Sequence, residues 1–125
     1  MWIGEGRNMA HDVRVYRWED LDLEKVTEMI SRKIVTGERE MLTQTYLKRG
    51  ALVPMHAHAS EQMIYVLQGA LRLRVDDHEV IVREGEVLHI PPGVRHQAEA
   101  LEDTFELDVF SPIRTEWMPK VGSAH

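Results

Sequence analysis

The amino-acid sequence predicts an all-β fold, a small sandwich or barrel formed by one domain. Short runs rich in β-branched, aromatic and leucine residues recur along the chain at strand length, without helical patterns between them. Glycines, prolines and paired aspartates separate these runs, where turns are expected. A chain of 125 residues can bury the core of one compact domain without disulfide help.

The elements follow in order along the chain. Residues 18–30 have apolar side chains loosely at helical spacing, which fits a turn of helix leading into a strand as well as a short helix. From Ile30 onward the period shortens, and strands are expected at residues 41–47, 63–67, 71–75, 79–82, 86–90 and 104–110.

The run LRLRV at residues 71–75 shows the clearest alternation. Its leucines and valine fall on one face and its two arginines on the other, which is the pattern of a half-buried antiparallel strand. We expect an N-terminal extension over residues 1–17, a barrel over 18–118 and a C-terminal tail over 119–125.

Composition excludes several classes of function. The 15 basic and 21 acidic residues give a net charge of −6, which argues against nucleic acid and gives no support for binding to an anionic membrane. The absence of cysteine excludes disulfides, cysteine zinc sites and thiol nucleophiles. Because no signal-peptide pattern or long apolar segment is present, we expect a cytoplasmic protein.

The stretch GALVPMHAHASEQMIYVLQG, residues 50–69, contains a His-x-His pair in a strand-like context. Residues two apart on a strand point to the same face, with Cα atoms about 6.6–6.8 Å apart. The imidazoles of His56 and His58 could therefore converge on one metal ion from a single strand. The alternative is a pair of surface histidines on an edge strand.

Several other histidines need no such role. His11 and His125 fall in the expected tails, and His89 lies in the strand-like run EVLHI. We expect His89 to serve the structure or an interface rather than to bind a metal.

Two spaced motifs in this chain resemble those of the cupin superfamily over about residues 35–112. The motifs are Gly50-x5-His56-x-His58-x3-Gln62-x6-Gly69 and Gly85-x5-Pro91-x-Gly93-x2-His96. The resemblance implies a double-stranded β-helix, or jelly-roll barrel. It also implies one divalent transition metal ion (zinc, nickel, manganese, iron or cobalt), with ligands from His56, His58, Gln62 and His96.

The chain departs from the cupin pattern at two positions. Gln62 stands where the family has glutamate, and Ala100 stands where it has asparagine. Glu61 is the rival fourth ligand, but strand parity favours Gln62 because it shares the parity of the two histidines. A neutral amide would leave the charge of the metal uncompensated, which would favour an anionic ligand.

The C-terminal stretch LEDTFELDVFSPIRTEWM, residues 101–118, narrows the resemblance. DVFSPIR followed by an acid and a tryptophan is similar to the KdgF-type cupins of pectin degradation, as is SEQMIYVLQG. That resemblance implies conversion of 4,5-unsaturated monouronates to linear keto sugars. Asp108 would shuttle protons, Phe110 would pack against the sugar ring and Arg114 would hold a carboxylate, although Ile113 replaces a usual proline.

The residues alone leave alternatives open. In FELDVF, periodicity by itself would put Asp108 on the solvent face, whereas a polar metal cavity would turn the same face inward. A cupin dioxygenase, a non-catalytic metal- or sugar-binding cupin and a structural barrel without metal are the other function classes. A small-molecule substrate, with a carboxylate-bearing sugar as the main candidate, and a homodimer are expected as partners.

Overall fold

The structure, a computed structural model, describes residues 13–117. The first twelve residues of the expected extension, the tail over 119–125, and His11 and His125 therefore lie outside the described residues, and the domain boundaries stay predictions. Within residues 13–117 there are ten strands: β1 (Glu24–Lys25), β2 (Ile30–Thr36), β3 (Met41–Leu47), β4 (Leu52–His56), β5 (Glu61–Gln68), β6 (Ala70–Val75), β7 (His78–Arg83), β8 (Val87–Ile90), β9 (His96–Ala100) and β10 (Thr104–Ser111).

The strands form two antiparallel sheets that confirm the predicted jelly-roll barrel. The larger sheet has the order β1-β2-β3-β10-β5-β8, and the smaller has the order β4-β9-β6-β7. Many neighbouring strands, such as β3 and β10, are far apart in sequence. Such long connections are typical of a double-sheet jelly roll, which brings remote motifs together.

The hydrophobic core is formed by side chains from both sheets. In β6, Leu71 and Leu73 are fully buried while Arg72 and Arg74 are exposed, which confirms the predicted half-buried strand. Burying a leucine side chain stabilises the fold by about 1.5–3 kcal/mol. The main members of the core cluster are Leu47, Ile64, Val66, Leu71, Leu73, Val82 and Ile90.

Strand β10 carries polar groups into the barrel. It lies in the larger sheet between β3 and β5. Its buried positions are Thr104, Glu106, Asp108 and Phe110, and they alternate with more exposed apolar residues. The usual alternation of a half-solvated strand is therefore inverted along β10, and two carboxyl groups face the interior.

The chain enters the larger sheet through a short turn. A 3-10 turn at Trp18–Asp20 precedes β1, which confirms the first of the two predictions for residues 18–30. None of the helices in residues 13–117 is long and apolar enough to cross a lipid bilayer.

Candidate metal centre and cavity

Three histidines from separate motifs meet inside the barrel. His56 ends β4, and His96, which begins β9, is its antiparallel partner. The third, His58, follows in the loop after β4. One potential ligand atom from each of the three lies within 4.8 Å of the others, and the rings of His56 and His96 are 4.4 Å apart at their centres. Three imidazoles therefore surround one point.

The prediction that a single strand carries both His56 and His58 is wrong. Strand β4 ends at His56, where the pairing with β9 is already irregular beyond Val53. The carbonyl of His58 instead accepts a hydrogen bond from the backbone N–H of Gly93 at 2.9 Å. This contact anchors the loop to the second motif, so the ring of His58 reaches the cluster without strand geometry.

Each ring is held by a hydrogen bond to a backbone carbonyl. The three Nδ1 atoms donate to Pro54 (2.8 Å, from His56), Ser60 (2.9 Å, from His58) and Val94 (2.9 Å, from His96). Because a carbonyl oxygen can only accept, Nδ1 must carry the hydrogen, and in a neutral ring the lone pair lies on Nε2. Backbone contacts of this kind fix the tautomer that binds a metal through Nε2.

Burial keeps two of these rings neutral. Desolvation lowers the pKa of His58 and lowers that of His96 to about 4. Both imidazoles are therefore uncharged at neutral pH, which is the form that binds a metal ion.

The amide of Gln62 links this cluster to Asp108. Gln62 is buried on β5, and its Nε2 donates to Oδ1 of Asp108 at 3.3 Å. That bond turns its Oε1 toward Nε2 of His58, 3.0 Å away. Two acceptors then face each other, an arrangement that a cation between them would satisfy. Three imidazole nitrogens and an amide oxygen fit a divalent transition metal ion.

Glu61 faces the other way, as strand parity predicts. It is exposed on the outer surface of the sheet, where its carboxylate lies 2.5 Å from Nε2 of His89. Glu61 therefore does not contribute to the histidine cluster. His89 forms a surface hydrogen bond with Glu61, as a structural role would require.

Asp108 and Phe110 point into the barrel, so the solvent-facing alternative for Asp108 is wrong. The Asp108 carboxylate is only 5% exposed, and its Oδ2 accepts hydrogen bonds from the hydroxyls of Thr43 and Thr45, each at 3.2 Å. Phe110 is buried, and its ring lies edge-on to that of His58 at 5.7 Å. The proton-shuttle candidate is thus next to the candidate metal ligands.

Arg114 lines the same cavity as His56 and His96. Its Nε donates to a carboxylate oxygen of Glu116 at 2.6 Å, and its guanidinium carbon lies 4.3 Å from the ring centre of Trp117. A second arginine, Arg32 on β2, lies 3.8 Å from the same ring centre and forms an ion pair with Glu24. Cation–π contacts of this kind fix the 3-10 turn at Thr115–Trp117 against β2.

One cavity is lined by many of these groups. It has a volume of about 480 Å³, in the range of small-molecule sites. Its polar lining includes His56, Gln62, His96, Glu106, Asp108, Arg32 and Arg114. The apolar lining includes Ile30, Leu47, Leu52, Val53, Ile64 and Leu73.

Sequence reasoning missed two charged members of this lining, Glu106 and Arg32. In the sequence, Glu106 is linked to the site only because it lies two residues before Asp108 and so shares its face of the strand. The alternation alone did not show which face of β10 is buried. Arg32 gave no signal in the sequence, because its position over Trp117 depends on a contact between residues 85 positions apart in the chain.

Comparison with known proteins agrees with this fold. A family model described as the cupin domain matches residues 43–111. The structure of KdgF from Halomonas sp. is similar, with 31% identity and a TM-score of 0.75 over 80% of this chain and 95% of that one. An RmlC-like cupin from Shewanella frigidimarina has 25% identity and a TM-score of 0.78, covering 82% and 94% of the two chains.

Two further similarities are weaker in sequence identity or in coverage. Bacillus subtilis oxalate decarboxylase shares the fold at 24% identity and a TM-score of 0.72, with 78% of this chain covering 29% of that one. An uncharacterised protein of Methanocaldococcus jannaschii is 27% identical over 75 residues, which make up 59% of this chain. The match spans 60% of that relative, so this chain accounts for less than two thirds of its length.

Proposed function

This chain belongs to the cupin family, and from that premise we propose that it is a metal-dependent enzyme that converts 4,5-unsaturated monouronates into linear keto sugars. One observation carries the proposal. The three residues assigned to that chemistry, Asp108, Phe110 and Arg114, line the same cavity as His56 and His96. The likeness to KdgF in sequence and fold supports the same assignment.

The metal ion would be held by His56, His58, His96 and Gln62. When bound, it supplies Lewis-acid polarisation of a substrate oxygen, and a redox-inert ion such as zinc would be sufficient. All four ligands are neutral, so they leave the positive charge of the ion uncompensated. This charge favours a substrate that carries a carboxylate.

Arg114 supplies the second feature that an acidic sugar requires. Its side chain is 10% exposed, and its Nε is already engaged by Glu116. The two terminal nitrogens remain as a pair of parallel donors that suits a carboxylate. We assign Arg114 to bind the substrate carboxylate, with the ring of Phe110 beside the sugar.

Asp108 is the proton carrier in this proposal. Hydrogen bonds from Thr43, Thr45 and Gln62 hold its carboxylate in one orientation. The carboxylate takes the proton of the C1 hydroxyl as the bond between C1 and the ring oxygen breaks, which leaves an aldehyde and an enolate; the resulting acid returns that proton to C4 as the enolate becomes the ketone. Bonds and protons balance, so no oxidant or reductant is needed.

The direct test is turnover of an unsaturated monouronate. We expect metal-loaded protein to accelerate the loss of the conjugated ultraviolet absorbance well above the rate in buffer, with a linear keto sugar as the product. Decay at the buffer rate by protein with metal bound would contradict the enzymatic assignment. That result would favour the non-catalytic metal- or sugar-binding alternative.

The apolar lining favours a second candidate. Leu52, Val53 and Leu73 would suit a small organic substrate with an apolar face better than a polyhydroxylated sugar. A cupin dioxygenase that uses iron would be such an enzyme. Oxygen consumption by iron-loaded protein in the presence of phenolic compounds, with no activity on uronates, would support this candidate.

We also propose a homodimer. The outer face of the larger sheet exposes large apolar side chains on three adjacent strands, including Tyr46, Met63, Tyr65 and Val109. Association of two chains would cover such a patch. Light scattering during size-exclusion chromatography would give twice the chain mass of 14.5 kDa if this proposal is right.

A further inference from the structure

The proposed reaction leaves one buried acid without a role. Glu106 is 6% exposed on β10, two residues before Asp108 and on the same inward face. Both side chains line the cavity. Two carboxyl groups at such positions have Cα atoms about 6.6–6.8 Å apart and can approach each other closely.

The surroundings of the two acids differ. Asp108 accepts three hydrogen bonds, from Thr43, Thr45 and Gln62, whereas the neighbouring charged group of Glu106 is the Asp108 carboxyl itself. Within residues 13–117, neither carboxyl group forms an ion pair with a basic side chain. A hydrogen bond between two carboxyl groups would require a proton on one of them. Because three donors already stabilise Asp108 as a carboxylate, Glu106 is the acid that would carry this proton.

We propose that Glu106 is a neutral carboxylic acid that donates a hydrogen bond to Asp108 and acts as its positioning residue. The donated bond keeps the Asp108 carboxylate aimed into the cavity while Glu106 itself stays uncharged. The role in turnover rests on the proposed function, whereas the protonation of Glu106 does not.

The electrostatic setting agrees with this assignment. Burial, and then the negative charge of Asp108, raise the pKa of Glu106 well above its usual value. Its partners in register, Thr45 on β3 and Val66 on β5, do not titrate. The other titratable or charged groups on the cavity lining are His56, His96, Arg32 and Arg114.

Infrared difference spectroscopy of the full chain tests the protonation directly. The wild type minus E106Q spectrum at neutral pH should contain a carbonyl-stretch band of a protonated carboxylic acid. The matched spectrum for E102Q should lack the band, because Glu102 is exposed. Absence of the band from the E106Q difference spectrum would overturn the proposal.

Two further measurements test the link to Asp108. In D108N the band should move to higher frequency, since a neutral amide is a weaker acceptor than a carboxylate. An unmoved band would overturn the contact. In the uronate assay, the kcat of the wild type should fall at alkaline pH, where Glu106 loses its proton. E106Q should not show this fall, because an amide can donate a hydrogen bond but cannot ionise. Identical pH profiles of the two proteins would overturn the positioning role. Inactivity of every form, with the infrared band present, would instead reject the proposed substrate alone.

Discussion

The side-chain amide of Gln62 connects His58 to Asp108, with its oxygen 3.0 Å from Nε2 of His58 and its nitrogen 3.3 Å from Oδ1 of Asp108. The amide of Gln62 therefore contacts both a candidate metal ligand and the candidate proton carrier. A change at Gln62 should alter both the metal and the proton chemistry.

Substitutions at Gln62 separate these two effects. We expect Q62L to lower metal affinity by about 10- to 100-fold, since it removes an oxygen ligand and the donor to Asp108. In Q62E the metal should be retained, but the new carboxylate faces Asp108 and should shift the pH–rate profile upward. Metal content by mass spectrometry and pH–rate profiles measure both effects. Q68L, at an exposed position, is the control and should keep the metal affinity of the wild type. Full metal affinity in Q62L would count against the assignment of Gln62 as a ligand.

Replacement of Asp108 by asparagine should affect chemistry rather than binding. We expect D108N to lower kcat on the uronate by about 100-fold or more, the usual cost of losing a general acid–base group, with little change in KM. Steady-state kinetics at matched metal content measure the effect. D77N, at an exposed turn, should behave as wild type. A D108N variant with normal kcat would remove Asp108 from the mechanism.

Arg114 should affect the binding of substrate. Hydrogen bonds to a charged partner contribute about 1.5–3 kcal/mol, so we expect R114A to lower kcat/KM by about 10- to 100-fold, mainly through KM. R114K should recover only part of this loss, because lysine cannot form a bidentate pair. Arg74 is exposed on the outer face of β6, so R74A is the control. If R114A and R74A had equal KM values, the assignment of Arg114 would be wrong.

Glu106 should make stability fall as pH rises. Its pKa in the folded chain is raised, so the stability linked to its proton is fully present below the unfolded pKa and is lost as the pH rises toward the folded value. Relative to E106Q, the free energy of unfolding of the wild type should decline by at most about 1.4 kcal/mol per pH unit above the usual range of glutamate. Urea unfolding at several pH values measures this difference. Parallel curves for the two proteins would contradict a raised pKa.

Most strands could be predicted because their signals are local. Alternation in the run LRLRV and the turn residues between runs depend only on neighbours in sequence, and β6 forms where expected. Strand β9 was not predicted, because His96–Ala100 has no β-branched or aromatic residue and becomes a strand by pairing with β4 and β6. Tertiary pairing there overrides a weak intrinsic preference.

The candidate site was predictable to a different degree at each residue. Motif spacing identified His56, His58 and His96, whereas the loop position of His58 depends on its contact with Gly93, far along the chain. Periodicity along β10 left the buried face undecided, since carboxyl groups on a core face are rare unless other polar groups stabilise them. Those groups, including Thr43 and Thr45, come from another strand.

The central claim is that four neutral side chains hold one divalent metal ion inside the barrel, and anomalous X-ray diffraction at the absorption edge of that metal tests it most directly. We expect one strong peak per chain, within bonding distance of Nε2 of His56, His58 and His96 and of Oε1 of Gln62. The peak should be absent from H96A crystals and present in H89A crystals. A wild-type crystal soaked in zinc or nickel with no peak among these four atoms would contradict the account.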